Sequence, residues 1–172
     1  MSETIPAGEA TEPRLTGGKP GAEAFAPFFC LVGLCVAAYL TAMHFGLLTG
    51  DIALGEACGP GGDCNSVVAS RYGTLLGLPV SVWGMWFYIV AGVLATASLL
   101  LRREDAAPYL RATVRLTVVA LAFDAWLAYA MFARIGRFCP LCAATYAANL
   151  LILIVTLPAA RAVRGAPGGV SS

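Results

Sequence analysis

The sequence predicts an all-α membrane protein: a four-transmembrane-helix bundle with an extramembrane loop and a short capping helix between helices 1 and 2. Three observations predict it. Of 172 residues, 59% are hydrophobic and only 12% charged, with a mean hydropathy of +0.77; a soluble domain carries about a quarter charged residues. Four apolar runs are each close to the roughly 20 residues that cross a bilayer as a helix. Arginine and lysine are distributed unevenly between the two sides those runs define.

Residues 1–23, rich in Gly, Pro, Ala, Glu and Thr, have no apolar periodicity and read as a disordered tail. They are not a signal peptide, because the first apolar run begins near Phe25 and is too long for a signal's hydrophobic segment. The runs span about Phe25–Leu48, Pro79–Leu101, Ala112–Phe132 and Phe138–Leu157, giving a four-helix core over 24–158 and a second tail over 159–172. Backbone groups in lipid need internal partners, so each run is read as a helix. Pro79 and Pro140 suit first helical turns, where a missing N–H costs nothing.

With four spans, both termini share a side with the loop between the second and third. That side collects Arg14, Lys19, Arg102, Arg103, Arg111, Arg115, Arg161 and Arg164; the other has Arg71, Arg134 and Arg137. The excess places both termini in the cytoplasm. The loop 49–78 then faces outward, with residues 65–72 as the capping helix, Asn65 or Ser66 near its N-cap, and Val67, Val68, Tyr72, Leu75 and Leu76 laid on the bundle. A net charge of +1 gives no footprint for nucleic acid, and a single His argues against a His-based metal site.

Four of the six cysteines form two pairs on the outward side, the compartment where disulfides persist. Cys58 and Cys64 bracket a Gly-Pro-Gly-Gly-Asp segment flexible enough to close a small disulfide ring, or to open and swing one thiol toward a partner. Both a static staple and an exchanging pair fit that motif. Cys139-Pro-Leu-Cys142 stands at a helix start, where free N–H groups favour thiolate and positions i and i+3 share a face. Two such pairs suggest an electron relay by thiol–disulfide exchange. One structural zinc on four cysteines is the metal alternative, disfavoured by the Cys-x5-Cys spacing and an oxidising face, so no metal is expected. Cys30 and Cys35, inside the first span, read as small buried hydrophobes. With no nucleotide fingerprint and no haem or iron–sulfur motif, a membrane quinone is the natural electron acceptor, held in an apolar pocket near Cys142.

Cys58-x5-Cys64, the following Asn65-Ser-Val-Val-Ala-Ser70-Arg-Tyr72-Gly, Gly77-Leu-Pro-Val80, and Phe138-Cys-Pro-Leu-Cys-Ala-Ala-Thr-Tyr146-Ala-Ala-Asn149 resemble the vitamin K epoxide reductase family. The resemblance covers about Phe25–Leu157. The other quinone-linked disulfide-forming type, DsbB-like, keeps its C-x-x-C in the first outer loop and fits less well. The resemblance implies that Cys58 exchanges with a partner thiol, Cys64 pairs with Cys139, and Cys142 faces the quinone. It also implies that Ser70 and Tyr146 line the quinone site. The quinone would be of menaquinone, ubiquinone or vitamin K type. Some homologues fuse a thioredoxin-like domain after the core; only about fifteen residues follow the fourth span here, so the resemblance implies a separate periplasmic, DsbA-like partner with a thioredoxin fold. A multi-pass protein of the inner membrane supporting disulfide formation is the expectation. A vitamin K epoxide or quinone reductase on the same relay, and a non-enzymatic scaffold with a loop disulfide, are the alternatives.

Two polar residues complete the reading. Asp124 lies inside the third span, where an ionisable group is costly and tends to face the bundle interior; protonation of a reduced quinone and plain packing are both open to it. His44, near the outer end of the first span, is read as interfacial.

Overall fold

A computed structural model of the chain describes residues 21–49, 58, 62–101 and 103–165. The expected tails (up to residue 20, and 166–172) and most of the first half of the outer loop (50–57 and 59–61) lie outside the described residues.

Four long helices carry the fold: α1 (Ala26–Thr49), α3 (Val80–Leu100), α4 (Arg103–Tyr129) and α5 (Pro140–Gly165). Each is long and apolar enough to cross a membrane, over Ala22–Gly46, Val80–Leu100, Asp105–Ile135 and Pro140–Val163. A 3-10 turn, Ala22–Phe25, leads into α1. The helix α1 packs against α3 and α5, and α4 packs against the same two. The chain is a four-helix membrane bundle with both cysteine pairs at the end where α1 stops and α5 starts.

Small side chains fill many of the helix contacts, around a few large ones such as Met43, Met131 and Ile152. Cys30, Ala37, Ala91, Ala95 and Ala148 are buried where helices meet, which lets backbones approach closely when lipid supplies no hydrophobic drive between helices. Buried hydroxyls are satisfied on their own helices: Thr113 donates to the Tyr109 carbonyl at 3.0 Å, Thr117 to Thr113 at 2.8 Å and Thr156 to Ile152 at 2.7 Å. Large apolar side chains such as Phe28, Trp86, Val93, Val119, Phe132 and Ile154 face outward instead, as helices that are apolar all round do when hydrocarbon is the solvent.

Three boundaries differ from the sequence reading. The helix α4 starts at Arg103, nine residues before Ala112, because the charged turn ahead of the apolar run is still good helix and Asp105 suits a helix N-terminus. The helix α5 runs through Pro158 to Gly165 rather than stopping at Leu157; transmembrane helices tolerate an internal proline. The capping helix α2 is Cys64–Val68, shorter and earlier than 65–72, because Asp63 caps it by accepting the Ser66 N–H at 3.0 Å. The chain then folds into a small antiparallel hairpin, β1 (Thr74–Leu75) paired with β2 (Leu78–Pro79). Its turn, Leu76-Gly77, has positive φ at both residues (54° and 80°), and Leu-Gly lacks the Asn-Gly or Asp-Gly signature that announces such a turn. Leu76 is therefore at the hairpin tip, 84% exposed, and not laid on the bundle as expected.

Candidate functional site

The site begins where α4 ends. Its last turn widens to a π-helix over Ala130–Ile135, and Gly136 closes it at φ 65°, a left-handed conformation that glycine adopts without strain. The chain reverses through Arg137 and Phe138 and enters α5 at Pro140. Cys139 stands just before that first turn, fully buried. Its sulfur accepts the Cys142 N–H at 3.2 Å, taking the place of an N-cap oxygen, and its own N–H donates to Met131 Sδ at 3.3 Å. The Cys142 thiol, together with the N–H groups of Cys142 and Leu141, holds the Cys139 thiol below its ordinary pKa against the opposing effect of burial.

The outer loop is fastened onto this corner. The Asp63 N–H donates to the Phe138 carbonyl at 2.9 Å, and the Asp63 carboxylate meets the Arg137 guanidinium at 3.2 Å. The Ser66 hydrogen bonds, helped by Arg137, hold the Asp63 carboxyl below the usual range. Gly62 comes so close to Pro140 and to the Cys58 carbonyl that a Cβ there would collide with both. The result is a cluster of sulfurs. Cys58 and Cys64 are joined by a disulfide, Cys139 and Cys142 are free thiols, and Cys64 Sγ lies 3.1 Å from Cys139 Sγ. Leu40, Met43, Val68 and Met131 surround them. From α1, His44 donates its Nδ1–H to the Val68 carbonyl at 3.2 Å and anchors the end of α2. His44 is thus buried near the end of the first span, with the carbonyl of the last residue of the capping helix as its partner.

Beneath the cluster lies a cavity of about 370 Å³, reached by all four long helices. Its walls are chiefly apolar. Its polar lining residues include Cys142, Ser70, Ser81, Tyr146, Asp124 and Asn149. Ser70 sits two residues past the end of α2, with its hydroxyl donating to the Val67 carbonyl at 2.7 Å. Asn149 donates its side-chain N–H to Asp124 Oδ2 at 2.6 Å, while its own Oδ1 is buried without a donor among the described residues.

The model of the vitamin K epoxide reductase family matches residues 25–157. The chain belongs to that family. The match takes in all four membrane helices, both cysteine pairs and every residue lining the cavity, and the vitamin K epoxide reductase family is one of membrane oxidoreductases. A quinone, the electron carrier this family uses, fits what the cavity offers: apolar walls for a flat ring, a thiol at one end, and at the other a buried acceptor, Asn149 Oδ1, that lacks a donor.

The structure brings Cys58, Cys64, Cys139 and Cys142 into one cluster and puts Ser70, Tyr146 and Cys142 around one cavity. Cys30 is buried as expected, whereas Cys35 is exposed on the outside of α1, where a small apolar side chain meets lipid at little cost. Sequence reasoning gave no role in the site to Gly62 or Met131, counted Arg137 and Asp63 only as loop charges, and met Asn149 only as the end of a motif. An Asp directly before a helical cysteine was a legible N-cap signal; the Asp63–Arg137 pairing, across 74 residues, was not.

Proposed function

We propose that the protein is a thiol–quinone oxidoreductase that reoxidises a separate thioredoxin-fold protein on the outer face of a bacterial inner membrane, with both termini in the cytoplasm. The observation that carries this reading is the 3.1 Å approach of Cys64 and Cys139, with Cys142 opening onto the cavity beneath.

The residues act in sequence. A partner thiolate attacks Cys58 and breaks the Cys58–Cys64 bond. The partner's second thiol completes its own disulfide and leaves two thiols in the loop. Because Cys58 is only 5% exposed, this step needs the loop to lift from Pro140. The Cys64 thiolate next attacks Cys139 of an oxidised Cys139–Cys142 pair, forming a Cys64–Cys139 bond and releasing Cys142. Cys58 then attacks Cys64, restoring the loop disulfide and releasing Cys139 as thiolate. The arrangement described above, with a closed loop disulfide and an inner dithiol, matches the end of this exchange. The quinone supplies a two-electron acceptor. Cys139 and Cys142 close their disulfide and give up the electron pair; Ser70 and Tyr146 line the ring's pocket; the apolar walls exclude water.

The test is quinone reduction by purified protein with a reduced thioredoxin-fold protein, comparing wild type with Cys142→Ala. Turnover that disappears in the variant supports the reading. Equal turnover in both, or none in wild type with any quinone, rejects it.

A further inference from the structure

Asp124 and Asn149 form a polar pair that joins α4 to α5 on the cavity wall. Asp124 stands in the last third of α4, half-buried on the cavity wall. It has no ion-pair partner among the described residues. The ionisable groups that face it are Tyr88 from α3 and Tyr146 from α5, with Cys142 on the same cavity. None of these is a cation, and the Tyr88 hydroxyl is committed to the Thr145 carbonyl at 3.1 Å. Asn149 is 4% exposed and spends its N–H on Asp124, yet its Oδ1 is the buried side-chain oxygen left without a donor among the described residues. Such a group costs free energy unless a ligand satisfies it.

Position adds a second constraint. Asn149 lies seven residues beyond Cys142 on α5, about 10 Å along the helix at 1.5 Å per residue. That is the reach of a six-membered ring with an oxygen at either end, plus a hydrogen bond. A quinone has only acceptors to offer; its reduced form has two O–H donors. An unfilled acceptor at this depth is therefore complementary to the product and to the path toward it.

We propose that Asp124 is the proton donor to the quinone oxygen farther from Cys142, and that Asn149 orients its carboxyl and accepts the O–H that forms. This rests on the quinone reading above. The proton count supports it. The exchange proposed above releases Cys139 as thiolate and leaves one proton on the inner pair, on Cys142, whereas reduction to the quinol consumes two. Closing the Cys139–Cys142 bond transfers the electron pair, Cys142 yields its proton, and the Asp124 carboxylic acid yields the second. Asp124 is left as carboxylate and is reprotonated from water when the product departs. Atoms and charge balance with no further reactant.

The experiment uses the full chain, reduced at all four redox cysteines, mixed with a soluble short-chain benzoquinone. Infrared difference spectra are recorded alongside the quinol yield. In wild type the C=O band of a protonated carboxyl disappears as quinol forms and returns afterward; in Asp124→Asn that band is absent. Quinol formation in Asp124→Asn falls at least about tenfold, at the low end of what a general acid contributes. Asp124→Glu restores both band and rate in large part. Asn149→Leu keeps the band but raises the quinone KM more than it lowers kcat. Thiol exchange between Cys64 and Cys139, measured without quinone, stays at the wild-type rate in all variants and reports that they fold. An unchanged rate or an unchanged band in Asp124→Asn overturns the proposal, as does a loss of thiol exchange equal to the loss of quinol formation. A wild type that exchanges thiols but reduces no quinone brings down the quinone reading itself, a separate and recognisable failure.

Discussion

The two cysteine pairs share one chemistry and one apolar cluster, yet they are held in place by different means. The outer pair is held by polar devices at the water's edge: the Asp63 cap on α2, the Asp63–Arg137 ion pair, and the Asp63 N–H on the Phe138 carbonyl. The inner pair is held by the start of a membrane helix, among apolar side chains, with Cys139 fully buried. Polar tethers at a surface break and re-form at little cost, since exposed ion pairs contribute little; a helix end in lipid does not move so freely. The difference suits a loop that opens to a soluble partner and a fixed pair that keeps electrons away from water.

Breaking the inner pair has the largest expected effect. In Cys139→Ala, quinone reduction falls to background, while the loop pair still exchanges with an added dithiol; alkylation and mass spectrometry of Cys58 and Cys64 read the second result. Crowding the fixed contact comes next. Gly62→Val drives a side chain into Pro140 and the Cys58 carbonyl, so the loop is displaced and Cys64–Cys139 exchange slows by about tenfold or more, as a misplacement near 1 Å can do. Weakening the polar tether costs less. Asp63→Ala loses both cap and ion pair and slows the exchange several-fold, and Asp63→Asn, which still caps α2, slows it less; stopped-flow measurement of loop reoxidation ranks the two.

The smallest effect is in pH. Asp63 has its carboxyl held low in the folded protein, so its contribution is fully present above the ordinary carboxyl value of about 3.9 and is lost as pH falls through the lowered folded value. The gap in unfolding temperature between wild type and Asp63→Asn is expected to be flat from neutral pH to about pH 5 and to close below about pH 4. A gap that closes near neutrality instead would place the tether on another group.

Much of this was legible in the chain. The four spans follow from run length and composition, and the paired cysteines from their spacing, because each is a local signal. The resemblance carried Ser70 and Tyr146 to the cavity. What was hidden depends on long-range partners. Arg137 counted only as a charge outside the membrane until the fold set it beside Asp63. Asp124 was visible as an oddity in an apolar span, but its partner Asn149 lies 25 residues away on another helix. The hairpin at 74–79 was missed because Leu76 takes a backbone conformation its side chain does not favour.

The central claim, that electrons cross from loop to helix through Cys64 and Cys139, is tested most directly in the double variant Cys58→Ala, Cys142→Ala. Without Cys58 and Cys142 no neighbouring thiol of either pair resolves the bridging bond. After oxidation and digestion under non-reducing conditions, peptide mapping is expected to find Cys64 joined to Cys139 as the main cross-link. Cys64 and Cys139 both left as free thiols would contradict the relay.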